Sequence, residues 1–505
     1  MEPDDYLKTV LRPPGIESRQ PMEHLHIQLS ELERKMLRTV SDHQGLVNEL
    51  HPRQQMAARN LLHYLTLRSE DIRSLQDQLH IFGLSSLASS ESHLHSQLQA
   101  ILQRLGDHYA EEDLDICTYE TSLADVKQKS LSLFGEKNDP GIPSIMVTFD
   151  SSFARDYGLI KNLLQNGMNI ARINCAHDDE KIWAKMIHLV RKACRATGLH
   201  CKIYMDLAGP KIRTKILTKG KKKGRVKVQE GQLIWLAEKA IGSTEDEVVI
   251  SCTEKGIIKQ LKKGEKVLFD DGIVRGNIEI VEEGRVGLRI LRISSAKSVI
   301  KEKKGINFPE SMLNISPLTK FDEECLPFIC EYADLLGFSF VRNRADVVLL
   351  QHKLKKLTEK TPQLIIKIEA VEAVKNLPSL LLQGMHQETF GVMIARGDLA
   401  VEVGFERMSE VQEEILWICE AAHAPVIWAT QVLETLNKSG IATRSEITDA
   451  AHAVMAECVM INKGPHTIEV IETLRDILQR SGGHHVKKRF IFRPLSIAQN
   501  FLNAN

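Results

Sequence analysis

The sequence lacks long apolar runs and an excess of charge of either sign. No stretch of about 18 consecutive apolar residues occurs, which excludes an ordinary membrane-spanning helix. The 66 basic and 66 acidic side chains cancel, so no basic surplus is available to meet the phosphates of nucleic acid or anionic lipid. We therefore expect neither a nucleic-acid partner nor a membrane partner.

The sequence also lacks closely paired cysteines. Its nine cysteines lie between Cys117 and Cys458, and no Cys-x-x-Cys pair occurs. An odd number without such pairs favours neither a disulfide framework nor a cysteine-based zinc site. The acidic start, Met1-Glu2-Pro3, lacks the basic residues and apolar stretch of a signal peptide. We expect a cytoplasmic protein.

The first 140 residues have apolar residues at helical spacing, which predicts an α-helical module over 20–110. One stripe begins near Ser30, a candidate helix cap, and further helices are predicted over 52–67, 70–82 and 91–105. A linker containing Asp139-Pro140-Gly141 follows. The stripe consists of Leu29, Leu32, Met36, Leu37 and Val40.

Nine of the 19 histidines lie in these first 140 residues. Their spacing in the sequence gives no convincing set of metal ligands. We expect them to be surface histidines or core histidines with hydrogen-bond partners.

From residue 144, eight short apolar runs alternate with helical segments. Such alternation is typical of βαβ units and a parallel sheet, and nearly continuous apolar strands indicate burial on both faces. Eight units predict the α/β class and a closed (β/α)8 TIM barrel. The runs are 144–149, 169–175, 201–207, 336–341, 363–369, 390–396, 425–430 and 457–462.

The connection between the third and fourth runs is too long for a loop in a compact domain. Its residues 217–303 contain β-branched runs separated by turn residues such as Asp271-Gly272, which predicts an inserted β-barrel lid domain. The basic run Lys219–Arg225 is interpreted as a solvated loop. We expect four parts: an N-terminal helical module and linker at 1–140, a catalytic barrel at 141–216 and 304–482, the lid at 217–303 and a C-terminal tail at 483–505.

Charged and polar residues follow the predicted barrel strands, whose carboxyl ends meet at one mouth. Lys367 and Glu369 are two residues apart, so their side chains point to the same side. The hard oxygens of Glu369 and Asp398 suit Mg²⁺. Together with nearby cations, they fit a metal-bridged phosphate or carboxylate substrate. The set at the strand ends is Arg172, Asn174, Asp206, Arg342, Lys367, Glu369, Arg396, Asp398 and Thr430.

Several motifs in order give the sequence a resemblance to the pyruvate kinase family over about 144–470. They include Asn169–Asn174, Lys367-Ile368-Glu369, Arg396-Gly397-Asp398 and Ala429-Thr430-Gln431. The resemblance implies a glycolytic transferase that moves the phosphoryl group of phosphoenolpyruvate to ADP, giving pyruvate and ATP. Phosphoenolpyruvate and ADP or ATP would then be its binding partners.

The resemblance also implies roles for single residues. Glu369 and Asp398 would hold Mg²⁺ or Mn²⁺. Lys367 would stabilise the transferring phosphoryl group, Arg172 would bind phosphate, and Thr430 would lie near the enolate face. Positions carried over for nucleotide or cofactor binding are Asn174, His177, Arg213, Lys304, Gly397, Arg342 and Lys211.

The sequence departs from the family at the residues that bind K⁺. Where K⁺-dependent members carry side-chain oxygens, this chain has Ala176 and Leu207. Lys211 replaces a family glutamate, and its ammonium could supply the positive charge of the ion. We expect that K⁺ is not required.

Other departures leave the rate of catalysis open. Phe149-Asp150 follows the first strand in place of Gly-Pro, and Asn462-Lys463-Gly464 shortens the loop after the eighth. Ala208 replaces a lysine. Few residues follow Gly464, so we expect a compact form without the family's C-terminal regulatory domain. The sequence is compatible with a homo-oligomer and with a protein partner for the N-terminal helices.

Two alternatives remain open from the sequence. A metal held by a glutamate and an aspartate at a barrel mouth also suits a metal-dependent aldolase or lyase that works through a pyruvate enolate. The other alternative is a catalytically impaired pseudoenzyme with a regulatory role, whose helical N-terminus recruits a partner.

Overall fold

The N-terminal part of the chain is helical. The computed structural model describes residues 19–137, 139–218, 224–239, 247–294, 299–483, 485–486 and 489–490. Its first helices are α1 (Arg19–Asp42), α2 (Gln44–Glu49), α3 (Gln55–Arg68), α4 (Arg73–Ile81), α5 (Leu94–Leu105) and α6 (Tyr119–Phe134).

Helix α1 buries one apolar face, but its start and stripe differ from the prediction. The helix begins at Arg19, and Ser30 lies inside it, donating its hydroxyl to the His26 carbonyl oxygen at 2.9 Å. Leu29 and Met36 are fully buried, whereas Leu37 is 48% exposed. Leu37 lies about 100° further around the helix than Met36, which turns it away from the buried face.

Helix α6 lies where the sequence predicted only linker. The compact unit that contains the N-terminal helices extends to Gln128 and includes two short segments from much later in the chain, Met385–Glu388 and Trp417–Ala424. Within it, the buried Asn60 amide donates to the carbonyl oxygens of Glu91 and Ala421, both at 2.8 Å. The unit therefore depends on backbone distant in sequence.

The second unit is built on parallel strands, with a β insertion after the third. It begins with β1 (Ser144–Thr148), α7 (Tyr157–Gln165), β2 (Met168–Asn174), α8 (Glu180–Thr197) and β3 (Lys202–Asp206). The insertion contains β4 (Thr214–Ile216), β5 (Arg225–Lys227), β6 (Leu233–Ala237), β7 (Val249–Cys252), β8 (Lys266–Phe269), β9 (Val274–Glu282), β10 (Arg285–Ile293), β11 (Val299–Lys301) and β12 (Ile306–Asn307).

Alternating helices and strands resume after the insertion. They are α9 (Lys320–Tyr332), β13 (Leu335–Phe338), α10 (Arg344–Leu357), β14 (Gln363–Ile368), α11 (Val371–Lys375), α12 (Leu377–Gly384), β15 (Phe390–Ala395), α13 (Arg396–Val403), α14 (Met408–Ala421), β16 (Val426–Ala429), α15 (Glu434–Ser439), α16 (Arg444–His452), β17 (Cys458–Ile461) and α17 (Thr467–Gly482). A short pair follows, β18 (His485–Val486) and β19 (Arg489–Phe490).

Eight parallel strands close into a barrel in the order β1-β17-β16-β15-β14-β13-β3-β2, which confirms the predicted (β/α)8 fold. Side chains from successive strands fill its interior, as expected for a barrel of this size. This core contains Met146, Ile170, Tyr204, Leu335, Ile365, Met393, Ile427 and Cys458.

The insertion forms a separate β structure. Seven of its strands make one sheet, in the order β12-β8-β9-β10-β6-β7-β4, over a core that includes Val267, Phe269 and Leu288. This confirms a β domain after the third barrel strand, while the domain boundaries stay a prediction. Lys219–Lys223 of the basic run and most of the tail 483–505 lie outside the described residues.

Two expectations from composition concern cysteines and membranes. All nine cysteines lie in the described part of the chain, where no disulfide joins any two of them. Along the described part of the chain, none of the helices is both long and apolar enough to cross a bilayer.

Candidate active site

A buried lysine joins three strands at the carboxyl end of the barrel. Lys367, near the end of β14, is 6% exposed. Its Nζ lies 3.0 Å from Glu369 Oε1, 3.2 Å from Asp206 Oδ2 and 2.7 Å from the Ser339 hydroxyl oxygen. One ammonium therefore connects the ends of β3, β13 and β14.

Asp206 is the second centre of this network. Arg172 on β2 donates to Asp206 Oδ2 from both Nε and Nη2, at 3.1 and 2.6 Å, and to the Thr148 hydroxyl at 3.1 Å. The Tyr204 hydroxyl donates to Asp206 Oδ1 at 3.0 Å. Both carboxylate oxygens are thus bonded, which a buried charge requires.

Burial and neighbouring charges oppose each other in setting the ionisation of this network. Burial by itself raises the pKa of Asp206, but Lys367 and Arg172 lower it by more, so the carboxyl pKa lies below its usual value. Burial likewise lowers the pKa of Lys367, yet Asp206 and Glu369 raise it above its usual value. Both groups are therefore charged near neutral pH.

Glu369 is a buried carboxyl group whose charged form is only partly stabilised by its neighbours. It is 3% exposed, and the Phe340 backbone N–H donates to its Oε2 at 2.6 Å. Burial raises its pKa, Lys367 lowers it and Asp398 raises it again, with a net rise. Asp398 is thus close enough for its charge to act on Glu369, and a cation between these carboxylates would relieve the repulsion.

Asp398 lies in the first turn of α13 rather than at a strand end. Strand β15 stops at Ala395 and the helix begins at Arg396, so the positive end of the helix dipole favours a carboxylate there. Lys211 reaches across the mouth and donates from Nζ to Asp398 Oδ1 at 2.5 Å. This places the ammonium expected to substitute for K⁺ directly on a predicted metal ligand.

Gly397 and Thr430 lie against each other on neighbouring connections. A Cβ at Gly397 would come within 2.6 Å of Thr430 Cγ2, so glycine is what allows this approach. Thr430 and Gln431 both have positive φ, 73° and 61°, which is strained for residues other than glycine and clusters at functional sites. Arg396 Nη2 holds the Thr430 carbonyl oxygen at 2.7 Å.

Arg342 does not follow a strand directly. Strand β13 ends at Phe338, earlier than predicted, and Phe340 turns the chain with a φ of 55°. The Arg342 guanidinium donates to the carbonyl oxygens of Leu313, at 2.6 Å, and Ile315. It therefore holds the segment returning from the inserted domain, and among the contacts of the described residues no hydrogen bond or ion pair links it to Lys367 or Glu369.

The predicted nucleotide-side residues fall into two places. Asn174 ends β2 and its Oδ1 accepts from the Ala176 N–H at 3.0 Å, next to the exposed His177. Arg213 and Lys304 instead lie at the base of the insertion. Arg213 Nη1 donates to the Lys303 carbonyl oxygen at 3.1 Å, and Lys304 Nζ lies 2.9 Å from Asp270.

The two shortened or altered loops are in contact. Lys463 Nζ lies 3.4 Å from Asp150 Oδ2, which joins the loop after β17 to the loop after β1. Asp150 also accepts from the backbone N–H of Ser152 at 2.9 Å. Two of the residues that depart from the family pattern, Asp150 and Lys463, therefore contact each other.

Sequence reasoning missed three residues of the network: Thr148, Tyr204 and Ser339. Tyr204 precedes Asp206 by two, so strand alternation alone places both side chains on the same side. Thr148 ends β1, where a polar residue at a strand terminus was a usable signal. Ser339 follows β13, and the misplaced end of that strand concealed it.

Comparisons with known proteins agree with this geometry. The family model described as "Pyruvate kinase, barrel domain" matches residues 143–466. A pyruvate kinase from Bacillus licheniformis is 31% identical over 330 residues, covering 64% of this chain and 54% of the relative. One from Dictyostelium discoideum is 32% identical over 344 residues, covering 67% and 66%.

A solved structure is also similar. The crystal structure of a pyruvate kinase from Cryptosporidium parvum has a TM-score of 0.60 and 26% identity, covering 70% of this chain and 72% of that one. The chain spans about half the length of several of the curated relatives that it matches.

Proposed function

The chain belongs to the pyruvate kinase family, and we propose that it transfers the phosphoryl group of phosphoenolpyruvate to ADP in a reaction that needs Mg²⁺ and does not need K⁺. The observation that carries this proposal is the buried Lys367, whose ammonium lies 3.0 Å from Glu369 and 3.2 Å from Asp206. A fixed cation in a water-poor site suits the charge that develops during phosphoryl transfer.

The carboxylates at the mouth fit a divalent cation. Glu369 is buried, its pKa is raised, and Asp398 adds to that rise. Two hard oxygen donors on neighbouring connections are the ligands that Mg²⁺ prefers, with its remaining positions open to substrate oxygens. When bound, Mg²⁺ would neutralise and orient the oxygens of the substrate.

The chain's own residues then position and neutralise the substrate. Asp206 and Glu369 keep the Lys367 amine protonated, so that it presents a positive charge. Asp206 also holds the Arg172 guanidinium in position through two hydrogen bonds. We assign phosphoryl-group stabilisation to Lys367 and phosphate binding to Arg172. Thr430, fixed by its strained backbone beside Gly397, is assigned to the enolate face.

Independence from K⁺ rests on Lys211. Its Nζ is 2.5 Å from Asp398 Oδ1, so a basic side chain lies at the mouth beside that carboxylate. Ala176 and Leu207 offer no side-chain oxygens to a potassium ion. In this proposal the Lys211 side chain takes the place of a bound potassium ion.

The inserted β domain is proposed as the lid over the nucleotide. It leaves and rejoins the barrel beside Arg213 and Lys304, and Lys304 pairs with Asp270 within the insertion. A phosphoryl donor and a nucleotide need cover from water during transfer.

A coupled assay of pyruvate formation from phosphoenolpyruvate and ADP tests the proposal. We expect turnover with Mg²⁺, none after chelation, and the same rate in Na⁺ and K⁺ buffers. Turnover only with K⁺ would refute the role of Lys211. Cleavage or formation of a carbon–carbon bond without nucleotide would identify the aldolase or lyase. Absence of both activities would identify the pseudoenzyme.

A further inference from the structure

The N-terminal helical unit contains a buried cluster of histidines and carboxylates that has no part in the reaction above. One ligand atom from each of His63, His95 and Asp115 lies within 4.8 Å of the others. Glu33 borders the cluster, with its Oε1 3.0 Å from His95 Nε2. No local pattern in the sequence indicates this ligand set, because its members come from α1, α3, α5 and the segment before α6.

His63 is the unusual member. Its side chain is only 4% exposed, yet neither ring nitrogen has a hydrogen-bond partner among the described residues. Its Nδ1 lies 3.8 Å from Asp115 Oδ2, beyond hydrogen-bond distance. A buried imidazole without partners loses its hydration without compensation, and an ion is one of the few explanations for such a group.

His95 is arranged like a metal-binding histidine whose second ring nitrogen bonds to a carboxylate. Its Nδ1 is 2.9 Å from Asp115 Oδ2, the same oxygen that lies 3.8 Å from His63 Nδ1, while its Nε2 is 3.0 Å from Glu33 Oε1. The Tyr109 hydroxyl donates to the other oxygen of Glu33 at 2.9 Å. A carboxylate that accepts the second N–H of a ligating histidine fixes its tautomer and raises its basicity.

We propose that His63, His95 and Asp115 bind one Zn²⁺ inside the helical unit, with Glu33 as the outer carboxylate of His95. Two imidazole nitrogens and one carboxylate oxygen suit Zn²⁺ better than Mg²⁺ or Ca²⁺, which prefer oxygen alone. Tetrahedral ligands around Zn²⁺ are about 3.4 Å apart, so the three atoms reach the ion by small side-chain movements.

The ion would tie separate elements of the helical unit together. His63 lies on α3, His95 on α5 and Asp115 in the segment before α6, while Glu33 comes from α1. A site of this kind has a structural role, because it is buried and far in sequence from the barrel motifs. Its binding free energy would add to the stability of the unit.

The test measures bound zinc in the full-length chain carrying Asp398→Ala, which removes a proposed barrel ligand from the count. After chelation and dialysis against Zn²⁺, elemental analysis should find one more equivalent in this parent than in its His63→Gln derivative. His80→Gln, on the exposed side of α4, is the matched control and should keep the equivalent. Glu33→Gln should weaken binding about 10- to 100-fold.

Two outcomes would overturn the site. One is a parent that takes up no more zinc than the His63→Gln derivative. The other is X-ray absorption of the zinc-loaded parent that shows only oxygen ligands, where we expect two imidazoles. The second measurement uses the parent alone, so it decides even if the His63→Gln chain fails to fold.

Discussion

The ionisation state of Lys367 is set by the charged side chains around it. It is buried, which disfavours a charged amine, but Asp206 and Glu369 reverse the effect and raise its pKa. A lysine in an apolar pocket would be neutral, whereas this one is a fixed cation. These neighbours give Lys367 the fixed charge that its proposed role in phosphoryl transfer requires.

Replacing Lys367 by methionine should lower kcat about 10²- to 10³-fold, since a charge used mainly in the transition state is lost. The KM for phosphoenolpyruvate should change much less. Steady-state kinetics on the coupled assay measure both, and Lys375→Met, at an exposed position on α11, is the control. An unchanged kcat in Lys367→Met would remove the residue from the mechanism.

Replacing Lys211 by glutamine should lower activity, and added K⁺ should not restore it. The substitution removes the ammonium from Asp398, and Ala176 and Leu207 leave no oxygen cage for the ion. Rates in matched Na⁺ and K⁺ buffers check this, with the exposed Lys215→Gln as control. Full rescue by K⁺ would show that an ion site persists without the lysine.

At the scale of elements, Gly337 in strand β13 leaves space for polar side chains of the neighbouring strand β3. A Cβ at Gly337 would lie 2.0 Å from the Tyr204 hydroxyl and 2.2 Å from Asp206 Oδ1. Gly337 pairs with Asp206 in the register of β13 and β3. The glycine therefore lets two polar side chains pass beside the adjacent strand.

Gly337→Ala should displace Tyr204 and Asp206, costing about 1–3 kcal/mol of unfolding free energy through overpacking. Activity should fall with it, because Asp206 orients both Lys367 and Arg172. Thermal unfolding and the coupled assay measure the two effects. Gly45→Ala, where a Cβ meets nothing within 4 Å, is the control and should leave both unchanged.

The strand ends show how precisely local sequence patterns predict the bounds of a strand. The apolar runs identified all eight barrel strands, because burial on both faces leaves a strong signal. The end of β13 was misplaced, since Val341 is apolar and buried although the strand has already stopped at Phe338. The turn at Phe340 depends on a tertiary contact, because the Phe340 N–H donates to Glu369 Oε2.

At the scale of the whole molecule, binding of substrate and metal should be visible as stability. Phosphoenolpyruvate with Mg²⁺ at about 100 times the dissociation constant should add about 2.7 kcal/mol to the unfolding free energy of the barrel. Calorimetry should therefore show a melting transition raised by several degrees relative to Mg²⁺ alone.

The same measurement on Asp398→Ala is the matched control. This variant should melt at the same temperature with and without phosphoenolpyruvate, because the proposed metal ligand is gone. An equal rise in both chains would mean that the substrate binds without the metal site proposed above.

The sequence by itself determined the barrel, the β insertion and most of the polar residues near the strand ends, because each depends on local periodicity or on short motifs. Tertiary structure decided which of those residues meet. It joined Lys367 to Asp206 and Lys211 to Asp398, turned Arg342 toward backbone carbonyls, and gathered His63 and His95 from two helices with Asp115 from the segment before α6. Such contacts depend on packing between segments far apart in the chain, and no local pattern encodes the distance between two side chains.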